Sequence, residues 1–241
     1  GTVISAIAFA PAGAVSMSSG TLTLNAGAQT IANLTLSGGT IDGPGNLTIS
    51  TALNWTGGSL AGAGTATFGA GSTITLNGGT LGFNRNITNA GTMNWTAGNL
   101  GGFGGPGVTI TNNGTFNAAP SSNNFFSGNS TANAFINNGT FTKTGATTIN
   151  FSGCTLTSSG PINLNTGGLT ISSGGTMTGA MTVAAGTTIT HTGVAFTYGA
   201  GTTLAGSGAW TISGGTVISA IAFAPAGPVS MSSGTLTLNA G

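Results

Sequence analysis

Leu53-Asn54-Trp55-Thr56-Gly57-Gly58-Ser59-Leu60 returns forty residues later as Met93-Asn94-Trp95-Thr96-Ala97-Gly98-Asn99-Leu100. Ser37-Gly38-Gly39-Thr40 and Asn77-Gly78-Gly79-Thr80 are separated by the same forty, and so are Ser173-Gly174-Gly175-Thr176 and Ser213-Gly214-Gly215-Thr216. A shorter beat lies inside this one. The signature Gly-Thr-(apolar) starts at Gly1, Gly20, Gly39, Gly79, Gly139, Gly175, Gly215 and Gly234, with looser forms at Gly58-Ser59-Leu60 and Cys154-Thr155-Leu156. The early spacings, counting Gly58, are 19, 19, 19 and 21. Forty is therefore two coils of about 20 residues, the mark of a stacked repeat.

Between the glycines lie short alternating runs: Leu34-Thr35-Leu36, Leu47-Thr48-Ile49, Ile74-Thr75-Leu76, Val108-Thr109-Ile110 and Leu169-Thr170-Ile171. Alternation at period two sends Leu and Ile to one face and Thr to the other. Branched Cβ atoms in Thr and Ile also favour extended backbone. Helix formers are scarce, with no Glu, one Lys and one Gln. Gly and Asn are expected to supply positive φ at tight corners, with Asn112-Asn113-Gly114 and Asn137-Asn138-Gly139 as strong candidates. Hairpins would not hold one motif at a fixed spacing. A solenoid does, because each coil lies on the last and like residues stack into ladders. The predicted fold is an all-β parallel β-solenoid, with Trp55 and Trp95 two coils apart in its core.

A longer period encloses these coils. Residues 215–241 repeat residues 1–27, with Ala14 against Pro228 as the only difference, at an offset of 214. Residues 1–214 thus read as one full unit of about eleven coils, and residues 215–241 as the start of the next. At about 4.8 Å per coil, a unit would advance roughly 50 Å. One period plus a short overlap is expected from a longer array.

Composition narrows the function. The chain holds one acid, Asp42, two bases, Arg85 and Lys143, and one histidine, His191. An ordinary domain is about one quarter charged, so self-repulsion does little here to keep molecules apart. A net charge of +1 gives no grip on nucleic acid or anionic lipid. No run of about 18 apolar residues is present, so no membrane insertion is expected. Regular Leu, Ile, Val, Phe and Trp set the chain apart from disordered low-complexity segments.

The Gly20-Thr21-Leu22-Thr23-Leu24-Asn25 and Gly45-Asn46-Leu47-Thr48-Ile49 style is similar to secreted bacterial β-helix proteins, filamentous-haemagglutinin-like repeats and autotransporter passengers. The resemblance is compositional and covers nearly the whole chain. It implies a right-handed parallel β-helix, export and a role at the cell surface, and it carries over no catalytic residue.

The residue inventory argues against catalysis. Glycoside chemistry needs two carboxyl groups within reach, and a Ser–His–acid triad would need His191 to meet Asp42 across seven or eight coils. Metal sites need several ligands, whereas His191 and Cys154 stand about two coils apart; no cofactor or metal is expected. Cys154 has two readings, a small buried residue or a crosslink between neighbouring copies. Asn117 to Asn138 breaks the rhythm, and Phe125 and Phe126 there are either core or a lateral contact ridge. Ala6-Ile7-Ala8-Phe9-Ala10-Pro11-Ala12 is a second irregularity with the same two readings. Thr21-Leu22-Thr23, Thr140-Phe141-Thr142, Thr155-Leu156-Thr157 and Thr176-Met177-Thr178 look like ice-binding ladders. The matching positions Thr40-Ile41-Asp42, Ser59-Leu60-Ala61, Thr80-Leu81-Gly82 and Asn99-Leu100-Gly101 interrupt that ladder. Asn-x-Thr/Ser triplets at Asn33, Asn46, Asn54, Asn86 and Asn94 leave glycosylation open.

The expected role is a structural segment of an extracellular or cell-surface filament, associating with its own kind end to end and laterally. An adhesin stalk recognising glycans or surfaces, through exposed aromatics such as Tyr198 or through a separate tip domain, is the first alternative. An ice-binding solenoid is the second.

Overall fold

A full coil is three short strands joined by three corners, and the strands pair in parallel with their counterparts in adjacent coils. The computed structural model describes residues 1–241 apart from 26, 102–106, 122–125, 128–131 and 240–241, and only the backbone of 126–127. Among the described residues all regular structure is β, in parallel ladders of about eleven turns.

Three sheets run the length of the rod. The first begins with Thr2–Ser5, Thr21–Leu24 and residues 40–42, and continues to Thr148–Phe151, Gly168–Ile171, Thr188–His191 and residues 209–212. The second holds residues 28–31 and 47–49, then Ala66–Phe68, Ile87–Asn89, Thr109–Asn112, Ala134–Asn137, Thr155–Ser158, Gly175–Met177 and Phe196–Tyr198. The third holds Val15–Met17, residues 34–36, 53–55, 74–76 and 93–95, then Thr115–Ala118, Thr140–Lys143, Ile162–Leu164 and Ala180–Val183. The longest strands, Ala28–Asp42 and Asn46–Ala61, run round the corners without a break.

Alternation does what the Leu-Thr-Leu runs predict. Leu47, Ile49, Leu53, Trp55, Ile74 and Leu76 are buried, while Thr48, Asn54 and Thr75 between them face outward. Burying each such side chain removes apolar surface from water and contributes about 1.5–3 kcal/mol. Trp55 pairs with Leu76, which pairs with Trp95, so the two indoles stand two coils apart in one ladder. Their N–H groups explain the repeated Trp-Thr-x-Gly: Trp55 Nε1 donates to Gly58 O at 3.4 Å and Trp95 Nε1 to Gly98 O at 3.0 Å. The indole reaches over its own corner and satisfies a carbonyl there.

The Gly-Thr corner at Gly39 requires glycine for two reasons. Gly39 has φ +77°, a region closed to most L side chains, and a Cβ on it would lie 2.6 Å from Gly20 O in the coil below. The Asn-Asn-Gly corners work differently from the sequence expectation. No non-glycine residue has positive φ among the described residues, Asn112, Asn113, Asn137 and Asn138 included. Instead the first Asn of each corner turns inward. Asn89 Nδ2 donates to Asn112 Oδ1 at 2.8 Å, Asn112 Nδ2 to Asn137 Oδ1 at 2.7 Å, and Asn137 Nδ2 to Ser158 Oγ at 2.9 Å. This fully buried ladder binds four successive coils, because Asn112 and Asn137 each accept from one neighbour and donate to the next along the axis, while Asn89 Oδ1 at its head has no partner.

Coil length is not constant. Eighteen residues separate Gln29 from its partner Leu47, and twenty-five separate Ile110 from Phe135. The long coils coincide with the irregular Asn117–Asn138 region, where Phe126–Ser127 still pairs with Leu100 and Gly101.

Candidate functional surface

The surface of this rod is almost free of charge, more so than the composition predicts. Arg85 and Lys143 are 2 % and 0 % exposed. Arg85 Nη2 donates to Gly43 O at 2.8 Å, Nη1 to Gly45 O at 3.4 Å, and Nε to Ala61 O, so one guanidinium ties corner carbonyls of two successive coils. Lys143 Nζ donates to Thr144 O at 2.8 Å, Gly145 O at 2.7 Å and Thr166 O at 3.3 Å. Burial lowers the pKa of both cations, with Asp42 opposing the shift at Arg85. A buried cation is tolerated only where its donors are met, and corner carbonyls meet them here. Arg85 and Lys143 are therefore internal fasteners. Asp42, half-buried, is left as the charged side chain nearest to solvent.

His191 is buried as well. Its Nε2 lies 2.8 Å from Tyr198 Oη, and its ring packs beside Phe196 at 5.1 Å between centroids. Burial pushes its pKa down to about 4 and pushes the Tyr198 hydroxyl up. His191 Nδ1 has no partner. The pair is closed off in the core, and among the described residues no three His, Cys, Asp or Glu side chains gather to hold a metal.

Tyr198 is thus not the exposed aromatic that one form of the adhesin reading names. It is fully buried between His191, Trp210 and Phe223. Trp55, Trp95 and Trp210 are buried too. Cys154 is 1 % exposed, its Sγ directed to Thr155 O, and burial raises its pKa. This position fits the small buried residue rather than an intermolecular crosslink, because neither the thiol nor a reactive thiolate reaches solvent. Phe125 lies outside the described residues, as does the side chain of Phe126. The Ala6–Ala12 irregularity is clearest in its second copy, where half-buried Phe223 packs against the core on Trp210 at 5.7 Å. Comparison with protein-family models, curated proteins and solved structures found no match.

The outward faces of the second and third sheets carry mainly hydroxyl and amide; among the described residues the exposed large apolar side chains are Val194 on the wall and Val3, Ile4, Ile7, Val229, Met231 and Leu238 in the first and last coils. The four Thr-x-Thr triplets do not form one ladder. Thr21 and Thr23 lie on the first sheet, Thr140 and Thr142 on the third, and Thr155, Thr157 and Thr176 on the second. A different set does stack. On the second sheet Thr30, Thr48, Thr67, Thr88 and Thr111 are partners in unbroken succession. Ile136 follows, and then Thr157, Thr176 and Thr197. The third sheet presents Thr35, Asn54, Thr75, Asn94 and Asn117 outward, with Asn117 Nδ2 donating to Asn94 Oδ1 at 2.9 Å. Sequence reading missed the threonine column because its members sit at unequal separations.

Proposed function

We propose that this chain is a mechanical segment of a long extracellular filament, built by continuous stacking of solenoid coils and serving no catalytic role. The observation that carries the reading is how the repeated segment is used. Val217 pairs with Phe196 of the preceding coil and with Leu236 of the following one. Its copy Val3 pairs with Leu22, the counterpart of Leu236. The repeated segment therefore serves both as one coil of the stack and as the bed for the next. A uniform, nearly uncharged side wall favours lateral association, since no like charges hold neighbouring rods apart. End-to-end and side-by-side contacts between copies are the partners this reading names.

Electron microscopy or fibre diffraction of the native assembly tests it. An axial repeat of about 50 Å with a meridional spacing of about 4.8 Å is expected. Discrete short particles without an axial repeat overturn it.

The stacked column from Thr30 to Thr111 favours a second reading, recognition of an ordered lattice such as ice by a flat hydroxyl face. Thermal hysteresis above that of an equal mass of serum albumin is the result this reading needs, and its absence removes it.

A further inference from the structure

The two copies of the repeated segment do not lie on the same side of the rod. Along the first sheet, strands succeed one another from Thr2–Ser5 through residues 21–24, 40–42, 59–61, 80–84, 99–101, 126–127, 148–151, 168–171 and 188–191 to 209–212. That is ten full turns. The segment that copies Thr2–Ser5 comes next, and it sits one sheet further on. Val217, Ile218 and Ser219 pair with Phe196, Thr197 and Tyr198 of the second sheet. The rest of the copy follows the same shift: Val15 belongs to the third sheet beside Leu34, whereas Val229 lies on the first beside Trp210. Within each copy the local register is the same, since Val3 pairs with Leu22 and Val217 with Leu236. The long period thus contains ten turns and one third of another.

Resting on the filament reading, we propose that successive units of this sequence stack with a rotation of one sheet, about a third of a turn, so that three units complete one superperiod. The partner on the last turn is the next unit of the same sequence, and its orientation is dictated by the register of residues 215–238. Ten and a third coils advance about 50 Å, and three units about 150 Å. A heterologous contact with a fixed rotation and rise generates a helix, and here the helix has three units per turn.

The consequence falls on the side wall. The threonine column from Thr30 to Thr111 spans five coils, about 19 Å at the usual strand spacing. In the next unit it is carried to another side of the rod, and in the third unit to the remaining side. No side of the array bears an unbroken hydroxyl strip. Each side instead meets its neighbours with the same chemistry in rotation, so the filament associates equally in three lateral directions.

Oriented filaments of the tandem protein decide this by fibre diffraction. Layer lines at orders of about 150 Å, with the first strong meridional reflection at about 50 Å, are the expected pattern. Layer lines only at orders of the single-unit rise mean that units stack without rotation; the rotation is then overturned while the filament stands. No axial repeat overturns both. As a second readout, Asn54→Cys in a Cys154→Ser background places one thiol per unit on the outer wall of the third sheet. Gold labels should then step round the filament and return to the same side every third unit. Labels all on one side refute the rotation, and labels with no regular spacing refute the filament.

Discussion

Replacing Asn112 by Ala should destabilise this protein far more than the same change at its neighbour Asn113. Asn112 sits in the middle of the buried amide ladder, accepting from Asn89 Nδ2 and donating to Asn137 Oδ1. Asn112→Ala leaves Asn137 Oδ1 without that donor in a fully buried position. An orphaned buried acceptor costs about 1–3 kcal/mol, and the lost bond on the Asn89 side adds about 0.5–1.5 kcal/mol. Asn89 Nδ2 keeps Gly91 O and Thr115 O as acceptors at 3.2 Å, which holds its share to the lower figure. The expected loss is about 2–4 kcal/mol. Asn113 is exposed, and its Oδ1 accepts from Asn138 Nδ2 in contact with water, so Asn113→Ala should change stability by about 0.5 kcal/mol or less. Urea unfolding followed by tryptophan fluorescence reads the difference, provided the slope is the same for both variants. Equal midpoints for the two variants would refute the claim that the ladder binds the coils.

Three further expectations use other parts of the rod. His191 titrates at about 4 in the fold against 6.5 when free, so between these values the unfolded chain binds the extra proton. Its stabilising contribution is complete above about pH 6.5 and disappears as pH falls towards 4, a loss of the order of 3 kcal/mol; His191→Gln should flatten the stability profile in that window, and an unchanged slope would count against it. Cys154 should react with a thiol reagent only after denaturation, because burial both covers it and keeps it protonated; prompt labelling of the native protein would contradict its placement. Gly39→Ala should destabilise by about 1–3 kcal/mol through positive φ and backbone overlap. Gly79→Ala, at the matching motif position but with open space and φ outside the left-handed range, should be neutral or stabilise by up to about 1 kcal/mol; identical thermal shifts for the two would show that the corner argument is wrong.

Much of this architecture is written in local chemistry. Leu-Thr-Leu alternation decides which side chains face inward because a strand has only two faces, and neighbouring coils cannot change that. The forty-residue echo of Trp55 in Trp95 fixes two coils, and the indole bond to the corner carbonyl gives the echo its cause. The near absence of charge was also legible, although not that Arg85 and Lys143 would turn inward to cap carbonyls. That depended on corners from successive coils meeting one side chain.

Register is what the chain alone left open. A coil takes anything from eighteen residues at Gln29 to twenty-six at Leu100, and the surplus is absorbed in corners that carry no periodic signal. Counting residues therefore yields a mean period but not the sheet on which a given residue lands. The threonine column at 30, 48, 67, 88 and 111, the buried His191–Tyr198 pair and the third of a turn left over in each long period all follow from that accumulated offset. Only backbone hydrogen bonding between coils, which locks each strand to one partner, decides them.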